Sequence, residues 1–364
     1  MRNSELDPKA KILIVDDSIL SRTILNRAIE QIADAECVGM ASSGKMALSK
    51  IKQLQPDLVI LDVMMPEMDG IETLSKLKEI APEIQVAMIS SADMKTVKKT
   101  LKFLQLGAID FISKPTLMDS EKSILELSRQ ISFLIQIVIT KKYASLCRQQ
   151  ILPNPTAQKA KSAIASAKTQ IELVVIGIST GGPKALEEML PSLGKEIPCP
   201  ILIVQHMPPL FTGFLAERLA QHICLKIKEA EHGESIQNGT LYIAVGGRHL
   251  RLQKNLENGF YLSLDDSPPI NNCRPSVDVL FSSVAEVMKE NILAVVMTGM
   301  GKDGTEGVRA LKSKKNNFCL IQDESSSVVW GMPGSVYTAN LADEVLPLES
   351  LGKRILELIT RIKN

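Results

Sequence analysis

The chain has 364 residues, of which 45% are apolar and only 4% aromatic, and its net charge is +1. That length predicts two or more domains with separate cores, and that charge gives no reason to expect nucleic acid or an anionic membrane as a partner. No apolar stretch approaches the roughly 18 residues of a membrane span, the N-terminal MRNSELDPKAK lacks the apolar segment of a secretory signal, and the six scattered cysteines form no Cys-x-x-Cys pair, so the expectation is a reduced cytoplasmic chain with neither a disulfide framework nor a zinc site and no membrane insertion.

From the N-terminus, short apolar runs alternate with helix-period segments. Ala10–Val15, Cys37–Met40, Leu58–Leu61, Val86–Ile89 and Ala108–Ile112 read as strands, and segments near 19–33, 43–53, 70–80, 94–105 and 119–145 as helices. Such β-α units predict a doubly wound parallel α/β sheet, which binds ligands outside the carboxyl ends of its strands. Asp16 and Asp17 follow the first strand and Asp62 ends the third, so three carboxylates converge there. Clustered carboxylates repel one another unless a hard divalent cation sits among them, and Mg²⁺ fits because it takes oxygen ligands and leaves positions for phosphate oxygens. Ser90 ends the fourth strand and Lys114 ends the fifth, a hydroxyl and an ammonium suited to phosphate oxygens. Lys114-Pro115 is a plausible cis peptide. A carboxylate beside Mg²⁺ can attack a phosphoryl group to give an aspartyl phosphate.

VDDS, LDVMMPEMDG and FISKP resemble the three hallmark segments of the response-regulator receiver family over about residues 10–130, a flavodoxin-like (βα)5 domain whose last helix extends to about 145. The resemblance implies Asp62 as phosphoacceptor, Asp16, Asp17 and Asp62 around Mg²⁺, Ser90 as switch hydroxyl, Phe111 as switch aromatic and Lys114 as phosphate contact. Ser90 stands where many receivers carry Thr, a change that keeps the hydroxyl.

Residues 146–170, rich in Pro, Ala, Ser and Lys, read as a linker. Strands then resume at Leu173–Ile178, Ile201–Gln205, Leu241–Val245, Ile292–Thr298 and Phe318–Gln322, with helices near 183–190, 211–222, 277–289, 304–313 and 348–362. Residues 241–264 read as an antiparallel hairpin appended to a mostly parallel, doubly wound sheet.

Gly177-Ile178-Ser179-Thr180-Gly181 fits the G-x-S-x-G pattern, a strand running into a sharp turn that exposes a nucleophilic hydroxyl. A serine needs a positioned base, and the base an orienting acid. Of the four histidines (His206, His222, His232, His249), His206 ends the strand ILIVQ at the same sheet edge and is favoured as base. Asp303 follows the strand ILAVVM and completes the order Ser, His, Asp, which differs from the Ser, Asp, His order of an α/β-hydrolase. Gly299-x-Gly301-x-x-Gly304 formally matches a dinucleotide fingerprint, with Asp323 and Glu324 as the acid. It comes late in the chain, and Asp303 inside the turn opposes a pyrophosphate. The glycines are better read as bringing backbone N–H groups to a reacting oxygen, with Met300 as a donor.

GISTGGPKAL, VQHMPPLFTGFLAERL, RPSVDVLFSSVAE, MTGMGKDG and QDESSSVVWGMPGSV resemble the catalytic domain of the CheB family of chemotaxis protein-glutamate methylesterases, over about residues 171–362. The resemblance implies Ser179, His206 and Asp303 as the catalytic triad, with Thr180 and Met300 lining the site. It implies demethylation of glutamyl methyl esters and deamidation of glutamines on methyl-accepting chemoreceptors, no cofactor for the esterase, and a CheA-type histidine kinase as phosphodonor. The expected regulation is an unphosphorylated receiver covering the catalytic sheet edge until phosphate at Asp62 shifts the equilibrium. The intact triad argues against a purely non-enzymatic signalling module.

Overall fold

The computed structural model describes residues 9–90, 103, 106–114, 121–147, 170–255, 259–289, 291–314 and 316–360. The chain divides into two compact units, Met1–Asn154 and Pro155–Asn364.

In the first unit the strands are β1 (Ala10–Val15), β2 (Ala35–Ala41), β3 (Leu58–Asp62), β4 (Gln85–Ser90) and β5 (Asp110–Ser113). The helices are α1 (Ile19–Glu30), α2 (Gly44–Leu54), α3 (Gly70–Ile80) and α4 (Glu121–Cys147). The sheet is parallel in the order β2-β1-β3-β4-β5. Its three central strands are near-continuous apolar runs because helices cover both faces. Leu13, Val15, Val59, Leu61, Val86, Met88 and Phe103 belong to one buried core. Helices α1, α2 and α3 start where oxygen side chains satisfy free amides: Ser18 accepts from Ser21 N, Ser43 from Met46 N and Asp69 from Glu72 N. The expected helix at 94–105 lies, except for Phe103, outside the described residues. So do the Lys114–Pro115 peptide and most of the expected 146–170 linker.

The second unit continues with β6 (Leu173–Ile178), α5 (Gly182–Met189), β7 (Ile201–Gln205), α6 (Phe211–His222), β8 (Lys226–Glu229), β9 (Thr240–Ile243), β10 (His249–Lys254), β11 (Phe260–Asp265), α7 (Val277–Val287), β12 (Ile292–Val296), α8 (Thr305–Lys312), β13 (Phe318–Gln322), α9 (Gly331–Thr338), β14 (Glu344–Leu346) and α10 (Leu348–Ile359). Seven strands form a parallel sheet in the order β14-β13-β12-β6-β7-β9-β8. Both edge strands, KIKE and EVL, go unannounced in the sequence because they are short and hold few apolar residues. Helix α9, GMPGSVYT, was masked by its glycines and proline.

The expected antiparallel hairpin is present, as a separate sheet beside the parallel one. β10 and β11 form a two-stranded sheet of their own, in antiparallel register from His249↔Asp265 to Lys254↔Phe260, and Tyr261 of β11 also bridges Ser235 on its other side. Leu250, Leu252, Leu262 and Leu264 share a buried cluster with Leu280, Phe281 and Val284 of α7. Packing against that helix holds the hairpin instead of extension of the sheet, each such side chain contributing about 1.5–3 kcal/mol.

Candidate active site and receiver acidic site

In the second unit β12, β6 and β7 are adjacent, so their carboxyl ends deliver Thr298–Gly304, Ser179 and His206 to one edge. The turn after β6 is tight. Gly181 takes φ 79°, a left-handed value that glycine adopts without strain. Ser179 N donates to Thr298 O at 2.9 Å, while Gln205 Nε2 and Gly182 N donate to Ser179 O at 2.9 and 2.8 Å. Gly299 crosses so close that a Cβ there would sit 2.7 Å from Ser179 Cβ and 2.4 Å from Met332 Sδ.

His206 is half-buried; its backbone N donates to Ile178 O at 3.1 Å and its Nε2 lies 2.8 Å from Asp303 Oδ2. Asp303 is 1% exposed. It also accepts from Ser276 Oγ at 2.8 Å, Asn271 Nδ2 at 2.9 Å, Val277 N at 2.7 Å and Asp278 N at 3.2 Å. Burial alone would raise its pKa, but the histidine and these donors hold it well below the usual carboxylate range. Asp278 accepts from Gly304 N and Gly307 N at 2.9 and 2.7 Å, so a carboxylate already occupies the start of α8. That closes the dinucleotide reading, since a pyrophosphate needs those amides free.

Nδ1 of His206 lies 3.6 Å from Cys273 Sγ. Among the described residues the Ser179 hydroxyl has no hydrogen bond to the ring. Burial disfavours the imidazolium, but Cys273 and Asp303 favour it more and push the ring up to about 10. Thr180 is buried, and its carbonyl accepts from Thr298 Oγ1 at 2.9 Å. Met300 sits half-buried in the Gly299–Gly304 loop. Beside that loop runs a groove of about 640 Å³ lined in part by Lys302, Thr305, Trp330 and Ser335. The other histidines stand apart: His222 is exposed, His232 Nδ1 accepts from Leu264 N, and buried His249 bonds Ser276 N and Pro268 O.

Sequence reasoning missed the 271–278 segment, whose Asn271, Cys273 and Ser276 converge on the histidine–aspartate pair. The available signal was Ser276-x-Asp278 opening an apolar helix, a serine at the N-cap position and an acid in the first turn.

In the first unit Asp16, Asp17 and Asp62 each offer a carboxylate oxygen within 4.8 Å of the others. Lys114 Nζ bridges Asp16 Oδ2 at 2.8 Å and Asp62 Oδ1 at 3.0 Å. Asp16 is held further by Ser18 N at 2.9 Å and Ser21 Oγ at 2.6 Å. Burial raises Asp62, Lys114 pulls it back and Asp16 raises it again, leaving its carboxyl at about 6. Burial opposes the Lys114 charge, but Asp62 and Asp16 keep its pKa above the ordinary lysine value. Ser90 Oγ, 1% exposed, has no hydrogen-bond partner among the described residues. Phe111 is half-buried against the core. Two buried carboxylates, an exposed one and an orphaned hydroxyl fit a hard cation with an oxyanion beside it.

Residues 174–355 match the family model described as CheB methylesterase, and residues 12–126 match the response regulator receiver domain. A protein-glutamate methylesterase/protein-glutamine glutaminase from Trichodesmium erythraeum is 42% identical over 353 residues, covering 97% of this chain and 99% of that protein. The protein of the same name from Desulfotalea psychrophila is 42% identical over 363 residues, covering 96% and 98%. The crystal structure of the Thermotoga maritima CheB methylesterase catalytic domain superposes with a TM-score of 0.50 at 44% identity, covering 52% of this chain and all of that one.

Proposed function

The chain belongs to the CheB methylesterase family and carries a receiver domain in front, and on that premise we propose that it is a phosphorylation-activated protein-glutamate methylesterase and glutamine deamidase. Its substrates are methyl-accepting chemoreceptors and its phosphodonor is a CheA-type histidine kinase. Receiver residues 10–130 control catalytic residues 171–362 through the 146–170 linker, in the cytoplasm. Among the described residues no helix is long and apolar enough to cross a membrane.

The observation that carries the reading is the 2.8 Å bond between His206 Nε2 and Asp303 Oδ2 at the sheet edge that also presents Ser179. Because Nε2 is committed to Asp303, Nδ1 is the nitrogen that exchanges the reaction proton. The neutral ring takes the Ser179 proton at Nδ1 as the oxygen attacks the γ-glutamyl carbonyl. Backbone N–H groups at Thr180 and Met300 stabilise the oxyanion. Nδ1–H then passes its proton to the departing methoxide oxygen, releasing methanol, or to the departing amide nitrogen of a glutamine, releasing ammonia. Water, deprotonated at Nδ1, hydrolyses the acyl-serine. Asp303 stays ionised throughout and fixes the ring.

In the receiver, Asp16, Asp17 and Asp62 would hold Mg²⁺, which when bound neutralises the charge of the transferred phosphoryl group. Asp62 is the acceptor, Lys114 and Ser90 take phosphoryl oxygens, and Phe111 follows Ser90. An activity change of roughly 5–150-fold corresponds to a coupling of about 1–3 kcal/mol. A serine-directed fluorophosphonate tests the esterase half: the expected result is one adduct at Ser179, lost in His206→Ala. An unlabelled Ser179 in active protein contradicts the reading.

A further inference from the structure

Cys273 has no role in the proposed reaction, yet its sulfur stands at the one ring nitrogen of His206 that Asp303 leaves open. Zinc binds thiolate sulfur at about 2.3 Å and imidazole nitrogen at about 2.0–2.1 Å, so a tetrahedral centre holds the two ligand atoms about 3.5 Å apart. The observed Sγ···Nδ1 separation is 3.6 Å. On the far side of the ring, Nε2 meets Asp303 Oδ2 at 2.8 Å, and Asp303 is itself fixed by donors from 271–278. A metal-ligating histidine almost always gives its other ring N–H to a carboxylate or a similar acceptor, the contact that His206 makes to Asp303. Cys273 is a free, half-buried cysteine. His206, Cys273 and Asp303 are, with the receiver carboxylates, one of two clusters of metal-ligating side chains among the described residues.

We propose that His206 Nδ1 and Cys273 Sγ form a site for a soft divalent ion of the Zn²⁺ class, and that the bound ion shuts the esterase by occupying the nitrogen Ser179 needs. Binding forms the metal–sulfur and metal–nitrogen bonds and releases the thiol proton, and any proton on Nδ1, to solvent. With two protein ligands the remaining positions are filled from solvent, so the ion binds reversibly and more weakly than in a structural zinc centre. Mg²⁺, which prefers oxygen ligands, does not compete there. The binding stands on this geometry alone; the inhibition rests on the esterase reading.

The test uses the full chain with excess Mg²⁺ to occupy the receiver carboxylates. Co²⁺ serves as the spectroscopic probe and Zn²⁺ as the inhibitor. The expected result is a thiolate-to-cobalt charge-transfer band in the wild type and in Ser179→Ala, absent in Cys273→Ser and His206→Ala, and displaced by Zn²⁺. Zn²⁺ inhibits ester hydrolysis by the wild type, and Cys273→Ser raises the half-inhibitory concentration by about tenfold or more. No band in the wild type, or a band or undiminished inhibition in Cys273→Ser, overturns the site. A band in Ser179→Ala together with a wild-type esterase indifferent to Zn²⁺ leaves the site standing and overturns the role of Nδ1 in catalysis.

Discussion

Asp303 Oδ2 lies 2.8 Å from His206 Nε2, and the same carboxylate takes four more donors from the segment 271–278. The carboxylate therefore fixes the imidazole, as the proposed reaction requires of it, and at the same time ties the start of α7 to the loop after β12. Replacing it removes both functions. Asp303→Asn presents an amide N–H to donors that need an acceptor, and cannot hold the ring in the tautomer with Nδ1 free. The expected loss is about 10³–10⁴-fold in kcat, with a stability loss of about 1–3 kcal/mol from the unsatisfied donors. Steady-state kinetics and thermal unfolding of the variant check both numbers.

Gly299 faces Ser179 across the sheet edge with no room for a methyl group: Ser179 Cβ and Met332 Sδ stand 2.7 and 2.4 Å from where it would be. In Gly299→Ala the serine must move. A shift of the order of 1 Å costs about 10²-fold in rate, so kcat/KM falls by that amount while His206 and Asp303 remain paired. Gly301→Ala, in open space but at φ 85°, is strained without displacing the serine and serves as the comparison.

The pH profile carries a specific signature. The groups that face the His206 ring are Asp303 and Cys273, and together they outweigh burial and push it up to about 10. The ring acts as base only when neutral, so kcat/KM rises with pH from neutrality toward that value. Cys273→Ala removes a cause that raises the ring, so the inflection moves to lower pH and activity at pH 7 rises relative to the alkaline plateau. An unmoved inflection contradicts Cys273 as a cause of the raised ring pKa.

Receiver control separates acceptor from switch. Asp62→Asn cannot form an acyl phosphate, so phosphodonor no longer stimulates the esterase, while basal activity remains. Ser90→Ala keeps the acceptor but removes the orphaned hydroxyl, so the chain is phosphorylated and responds less, the lost contact being one part of the roughly 1–3 kcal/mol of coupling. Measuring phosphorylation and esterase activity in parallel distinguishes the two variants.

The parallel sheets were legible because AKILIV, LVILD, LVVIGI and ILIVQ are apolar enough to be buried on both faces, and chemistry-bearing residues follow directly on their ends. Strand order brought Ser179, His206 and Asp303 to one edge as expected. The edge strands KIKE and EVL were hidden because an exposed edge needs no apolar signal. Cys273, read as one of six scattered cysteines, gave no sign of its neighbour, since nothing along the chain encodes a meeting between positions 206 and 273. Its contact with His206 comes from the turn ahead of α7, whose Asn271 and Asn272 take left-handed φ values.

The most direct test of the whole account is methanol release from methylated chemoreceptor membranes by the wild-type chain, with Mg²⁺ and a small-molecule phosphodonor, against Ser179→Ala. The account predicts release that depends on Ser179 and rises with phosphodonor. No release above the Ser179→Ala background, with the receiver demonstrably phosphorylated, would contradict it.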